Sequence, residues 1–183
     1  HHLALTAFEQ ALALGYRRPG FVLDEVIDAL VERRFSAGYF AGQRMLPRSQ
    51  PIPPFCNMAG TQPSELFRAW LDRYRPDVIF TLYNNVLGWL KAAGRRVPDD
   101  VGVIQLEWRA AHPEIAGMNQ HNRVTGEAAV DMLVSQIHNN ENGVQQFPRA
   151  TLIGASWVEG ASVRRATTTV PEPASRAMEL ASA

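Results

Sequence analysis

Four places in the chain set a polar or aromatic pair directly after an apolar run. They are Asp24-Glu25 after "GFVL", Cys56-Asn57 after "IPPF", Tyr83-Asn84 after "VIFTL" and Glu107-Trp108 after "VGVIQL". Carboxylates and amides hydrogen-bond hydroxyl groups, and a Trp or Tyr ring covers an apolar sugar face. The set therefore suits recognition of a polyhydroxylated small molecule. It does not point to covalent chemistry. Cys56 and His112 could in principle pair as thiol and imidazole, but no spacing brings them together, and a buried structural thiol is the simpler reading. There is no G-x-S-x-G, phosphate loop, dinucleotide fingerprint or HExxH. The scattered carboxylates give no assignable glycosidase pair. We expect no catalytic residue, no metal site, no cofactor and no enzyme.

Each candidate also has a plain structural role. Asn84 can cap a helix, and Trp108 can close a sheet edge. Glu107 can pair with Arg109 or Arg123. Asp99-Asp100 reads as a solvated turn.

Composition narrows the class. The 183 residues are 46% apolar, enough for one sizeable core or two small lobes. Net charge is zero, so nothing marks the chain for nucleic acid or an anionic membrane. Lys91 is the one lysine, and the four Arg-Arg pairs are spread along the chain, as solvated surface would be. A single cysteine excludes an internal disulfide. No apolar run reaches membrane-spanning length. His1-His2 leads straight into a helical pattern with no signal peptide, as if a beginning were missing.

The elements that would position the polar pairs follow from periodicity. A helix is expected over 2–14 with Leu5, Phe8 and Leu12 on one face, closed by Gly15. A buried strand lies within 17–24. One long helix is expected over 26–46, where Gly38 and Gly42 allow close packing. A short extended piece falls near Ile52–Cys56. Thr61 or Ser64 caps a helix over 64–74. Strands at 76–83 and 101–106 flank a helix at 85–93. A short edge strand is expected at 114–119 and a last strand at 150–160. The helix over 123–138 turns Val124, Ala128, Met132, Leu133 and Ile137 inward. Strands alternating with helices, apolar on both faces, mean an α/β fold with a parallel sheet flanked by helices. In such sheets ligands bind outside the carboxyl ends of the strands, where the four polar pairs lie.

The wording of these segments carries a resemblance. "LALGYRRPGFVL", "RRFSAGYFAGQ", "RPDVIFTLYNNVLGWLKAAGRRVPDDVGVIQLEW", "IAGMNQHNRVTGEAAVDMLVSQI" and "ATLIGASWVEGASVRR" occur in that order. The series, covering about 3–166, resembles the effector-binding region of LacI/GalR-type bacterial transcriptional regulators. "GRRVPDDVGVI" is its most specific piece.

The resemblance implies a periplasmic-binding-protein-like fold of type I, two α/β lobes around an effector cleft. Residues 1–165 would form a partial effector-binding domain, with 166–183 a flexible tail. The second lobe would span about 17–119. Helices at about 3–14 and 122–139 would belong to an incomplete first lobe and cover a sheet outside this chain, and a crossing strand would lie at about 150–158. The implied partners are a sugar-like effector, a second copy in a homodimer, and operator DNA through a headpiece outside this chain, all in the cytoplasm. A periplasmic sugar receptor would share the fold and is the alternative. Carried over by position, Gln120 matches a frequent effector contact. Glu107-Trp108 replaces a usual pair of acids, and Leu82-Tyr83 stands where Asn-Asp is common, with Asn84 just after. Phe35 occupies a usual sugar-binding arginine position, with Arg33 and Arg34 near; Phe35 also reads as core. The candidate effector-binding set is therefore Glu107, Trp108, Gln120, Tyr83, Asn84, Asp24, Arg33, Phe35 and Asn57.

Overall fold

The computed structural model describes residues 2–46, 51–56, 64–143, 146–147 and 149–165. Asn57 and the tail from 166 lie outside the described residues. Eleven elements follow in order: α1 (His2–Ala13), β1 (Pro19–Val22), α2 (Glu25–Leu30), α3 (Arg34–Gln43), α4 (Glu65–Tyr74), β2 (Val78–Thr81), α5 (Asn85–Ala92), β3 (Gly102–Gln105), β4 (Gly117–Asn119), α6 (Asn122–His138) and β5 (Ser156–Val158).

The sheet runs β1-β2-β3-β4-β5. β1 pairs with β2, β2 with β3 and β3 with β4 in parallel, whereas β5 joins β4 antiparallel. Val22 also makes a parallel bridge to Phe55, so the extended piece near Ile52–Cys56 lies beside β1. β4 was expected at an edge; β5 covers it.

Alternation along the strands divides the core in two, as the period of two requires. Phe21, Val78, Phe80 and Ile104 face one side, with Phe8 of α1 and Tyr39 of α3. Val22, Ile79 and Val103 face the other, under Phe67 and Trp70 of α4 and Trp89 of α5. Ser64 caps α4 by accepting from Phe67 N at 3.1 Å. The expected α/β architecture is thus present, with helices on both faces.

Two expectations need correction. The single helix over 26–46 is two helices. Glu32 and Arg33 both turn to φ 56° and break it. The buried Asp28 carboxylate stabilises the break by accepting from Ser36 N at 3.2 Å and Ser36 Oγ at 2.5 Å. Those bonds satisfy donors at the start of α3, which an unbroken helix would not need.

Next, α1 does not cover a sheet outside this chain. It packs on α3 and on the sheet described here. Gly42 makes this contact possible, because a Cβ there would sit 2.4 Å from the Phe8 ring. Phe8 is fully buried as a result.

By contrast, α6, expected to cover a sheet outside this chain, turns none of its apolar row onto the described residues. None of its residues is buried, and Val130, Leu133, Val134 and Ile137 stand exposed at 59%, 56%, 46% and 65%.

Candidate functional site

Parallel pairing brings the carboxyl ends of β1 to β4 to one edge. The loop after β2 carries Leu82, Tyr83 and Asn84, α5 begins at Asn85, and the loop after β3 carries Glu107 and Arg109. With Ile27 of α2 they line one concavity of about 430 Å³. Tyr83, Asn84 and Glu107, three of the sequence candidates, therefore share a wall. A wider hollow of about 960 Å³ opens at the opposite edge, beside Leu14, Asp99, Trp157 and Arg164. None of the described sequence candidates lines it.

The polar groups of the carboxyl edge are unevenly used. Among the described residues, three buried side-chain atoms lack a hydrogen-bond partner: Tyr83 Oη, Gln105 Oε1 and Trp108 Nε1. All three belong to the end of β3 or to the loops after β2 and β3. Buried polar groups are normally paired, so three such atoms set this edge apart, and of their residues Tyr83 lines the concavity. Burial, then the charge of nearby Asp24, pushes the Tyr83 phenol above its ordinary pKa. It stays protonated and can donate.

Glu107 is partly exposed and holds Arg109 at 3.1 Å. That exposed pair leaves one carboxylate face open to hydroxyls and contributes little to stability. Trp108 is half-buried, and its backbone N–H donates to Met118 O at 2.9 Å, which fixes the loop on β4. Gln120 donates from Nε2 to Leu106 O at 3.1 Å and is not on the concavity wall.

The remaining candidates fall elsewhere. Asp24 is half-buried and caps α2, accepting from Val26 N at 2.8 Å and Ile27 N at 3.4 Å. Arg33 is exposed in the break before α3 and faces Glu25 at 3.6 Å. Phe35 packs against the core beside α1. Asn57 lies outside the described residues. Cys56 is exposed rather than buried. Partial burial, then the charges of Glu25, Asp28 and Asp24, raises its thiol pKa, which makes a poor nucleophile. His112 instead meets Glu114 at 3.4 Å. Among the described residues no group of three His, Cys, Asp or Glu could hold a metal, and no helix is long and apolar enough to cross a membrane.

Sequence reasoning missed Gln105. It is 1% exposed, and its Nε2 donates to Asn84 Oδ1. The signal was present, because a glutamine interrupts a strand otherwise apolar on both faces. Asn84 in turn makes no capping bond to α5 although it occupies the cap position.

The family described as a periplasmic binding protein-like domain matches residues 8–163. No curated protein matches the chain in sequence. Solved structures are similar in fold. The transcription regulator CcpA of Lactococcus lactis has a TM-score of 0.62 at 14% identity, over 87% of this chain and 60% of its own. The lac repressor dimer bound to operator and the anti-inducer ONPF has 0.68 at 18% identity, over 88% and 58%. A LacI family transcriptional regulator from Lactobacillus casei with bound sucrose has 0.61 at 20% identity, over 87% and 62%. The chain thus spans about 60% of the length of such relatives.

Proposed function

Because this chain belongs to the periplasmic binding protein-like domain family, we propose that it senses a small sugar-like effector for a bacterial transcriptional regulator. The observation that carries the reading is the shared wall of Tyr83, Asn84 and Glu107 beside three buried, unpartnered polar atoms. Relatives of the same fold support the ligand class, since their structures hold sucrose, cellobiose and ribose. Glu107 accepts from effector hydroxyls and the Tyr83 ring covers an apolar face, whereas Gln120 and Trp108, off this wall, hold the strand ends in place.

Residues from about 17 to 119, with α1 packed on their sheet, form one lobe of the sensor. α6 belongs to the opposing lobe, and its bare apolar row supports that assignment. An effector bound between lobes favours one of two lobe arrangements. Differential contacts in the two states then change operator affinity. The regulator acts in the cytoplasm as a homodimer, which matches a two-fold operator, and meets DNA through a headpiece.

Thermal melts and calorimetry against a panel of mono- and disaccharides, including ribose, sucrose and cellobiose, test the reading. One saccharide raises Tm, and the rise continues with the logarithm of its concentration above Kd. No shift with any member of a broad panel overturns the sugar-like assignment.

A further inference from the structure

We propose that Gln105 is a positioning residue that turns the Asn84 amide so that its Nδ2, a donor, faces the concavity. The inference rests on the reading of that concavity as the effector site, and it adds the polarity with which Asn84 meets the effector.

Gln105 ends β3, all four residues of which are buried. Its Nε2 donates to Asn84 Oδ1, and its own Oε1 has no partner. Asn84 lines the concavity. Its side chain is free of the helix cap it could have made, so Gln105 alone holds it among the described residues.

An amide pair can be arranged in two ways, and the costs differ. In the observed way, Gln105 buries one unpaired carbonyl oxygen and one N–H that no described residue accepts. Were both amides reversed, Asn84 Nδ2 would donate to Gln105 Oε1, and the Gln105 NH2 would bury two unpaired N–H donors. Orphaned buried N–H groups cost more than an under-used carbonyl, and water can satisfy either face of Asn84 at the open concavity. The observed orientation is therefore the cheaper one. Asn84 Oδ1 is consumed below, and Nδ2 is left to the ligand. Glu107, on the same wall, accepts, so a donor stands beside an acceptor. An effector atom seated at Asn84 must then be an acceptor, such as a ring, ether, carbonyl or hydroxyl oxygen.

Side-chain amide exchange in the unliganded chain tests the orientation without any effector. In 15N spectra the two signals are identified from Asn84→Asp and Gln105→Met. One Gln105 Nε2 proton is expected to exchange at least about tenfold more slowly than an exposed amide, the mark of a hydrogen bond. Both Asn84 Nδ2 protons are expected to exchange freely. Asn84→Asp keeps the Gln105 protection, since a carboxylate still accepts. Gln105→Glu removes the donor, so the Asn84 amide turns and its Nδ2 becomes protected. Protected Asn84 Nδ2 with free Gln105 Nε2 in the unsubstituted chain overturns the proposal. Gln105→Met is the control against a buried charge: it frees Asn84 without protecting either of its protons, and a protected Asn84 Nδ2 there overturns the proposal too.

Binding supplies the second arm. For whichever of ribose, sucrose or cellobiose binds the unsubstituted chain, Asn84→Asp weakens affinity by about tenfold or more, the size of one hydrogen bond. Unchanged affinity overturns the donor assignment. If none of the three binds, the reading of the site falls on that count, while the exchange result still decides the orientation.

Discussion

The two edges of the sheet spend their polar groups differently. At the amino edge they hold the fold. Asp77, just before β2, accepts from Arg17 N at 2.7 Å and Arg18 N at 2.8 Å, tying β1's entry to β2's. Asp100, just before β3, accepts from Arg96 N at 2.8 Å and from the Arg96 guanidinium at 3.0 and 3.1 Å. Tyr16 accepts from Arg164 N at 2.8 Å, under an Arg164 guanidinium 4.7 Å from its ring centroid. At the carboxyl edge Tyr83, Gln105 and Trp108 leave buried atoms unpaired. Leaving them so costs free energy. A fold under selection for stability alone would pair them or replace them with apolar groups. The wider hollow lies at the amino edge, away from these unpaired atoms.

The sharpest way to break this comparison is to damage each edge and ask which property fails. Gly102 is the tightest point of the amino edge, because a Cβ there would lie 2.3 Å from Tyr16 Oη and 2.7 Å from Cζ. Gly102→Val must push Tyr16 aside and break its bond to Arg164. Unfolding free energy in urea is expected to drop by about 3 kcal/mol, the upper range for overpacking. Saccharide affinity of the remaining folded fraction is expected to hold. A stable Gly102→Val chain that has lost affinity would reverse the assignment of roles.

The matching change at the other edge is Glu107→Ala. Its ion pair with Arg109 is exposed, so stability should move by less than about 0.5 kcal/mol. Effector affinity should weaken by about 1–3 kcal/mol as polar groups lose their partner. Calorimetry and a urea melt on the same sample separate the two. A destabilised chain with full affinity would place Glu107 with the fold and not with the site.

These edges also show what a sequence makes legible. Strand position and parallel order followed from apolar runs between helical periods, since side-chain alternation is local information. The strand ends followed too, and Tyr83, Asn84 and Glu107 meet on one wall. What covers an apolar stripe is not local. α1 and α6 show similar periodicity, yet Phe8 is buried against Gly42 while Ile137 is exposed. The break at Glu32 and Arg33 was hidden because an unbroken apolar period continues through it, and the Asp28–Ser36 bond that stabilises it is read only in three dimensions. Gln105 was passed over for a similar reason: its role depends on Asn84, 21 residues away in sequence.

The finest test is a titration at the amino edge. Hydrogen bonds from the Arg96 side chain, then from its backbone N–H, lower the Asp100 pKa from 3.8 to about 2. A carboxyl whose pKa is lower folded than unfolded binds its proton more readily when the chain unfolds. Its contribution is therefore complete above the unfolded value and shrinks as pH falls toward the folded one. The window runs from about 4 down to about 2. Asp100 lies at the surface, so screening keeps the effect small and salt-sensitive. Urea midpoints of the unsubstituted chain and of Asp100→Asn should differ at pH 6 and converge as pH falls through that window. The gap should narrow in high salt. A gap that stays constant down to pH 2, or that ignores salt, would remove Asp100 from the groups that hold the amino edge.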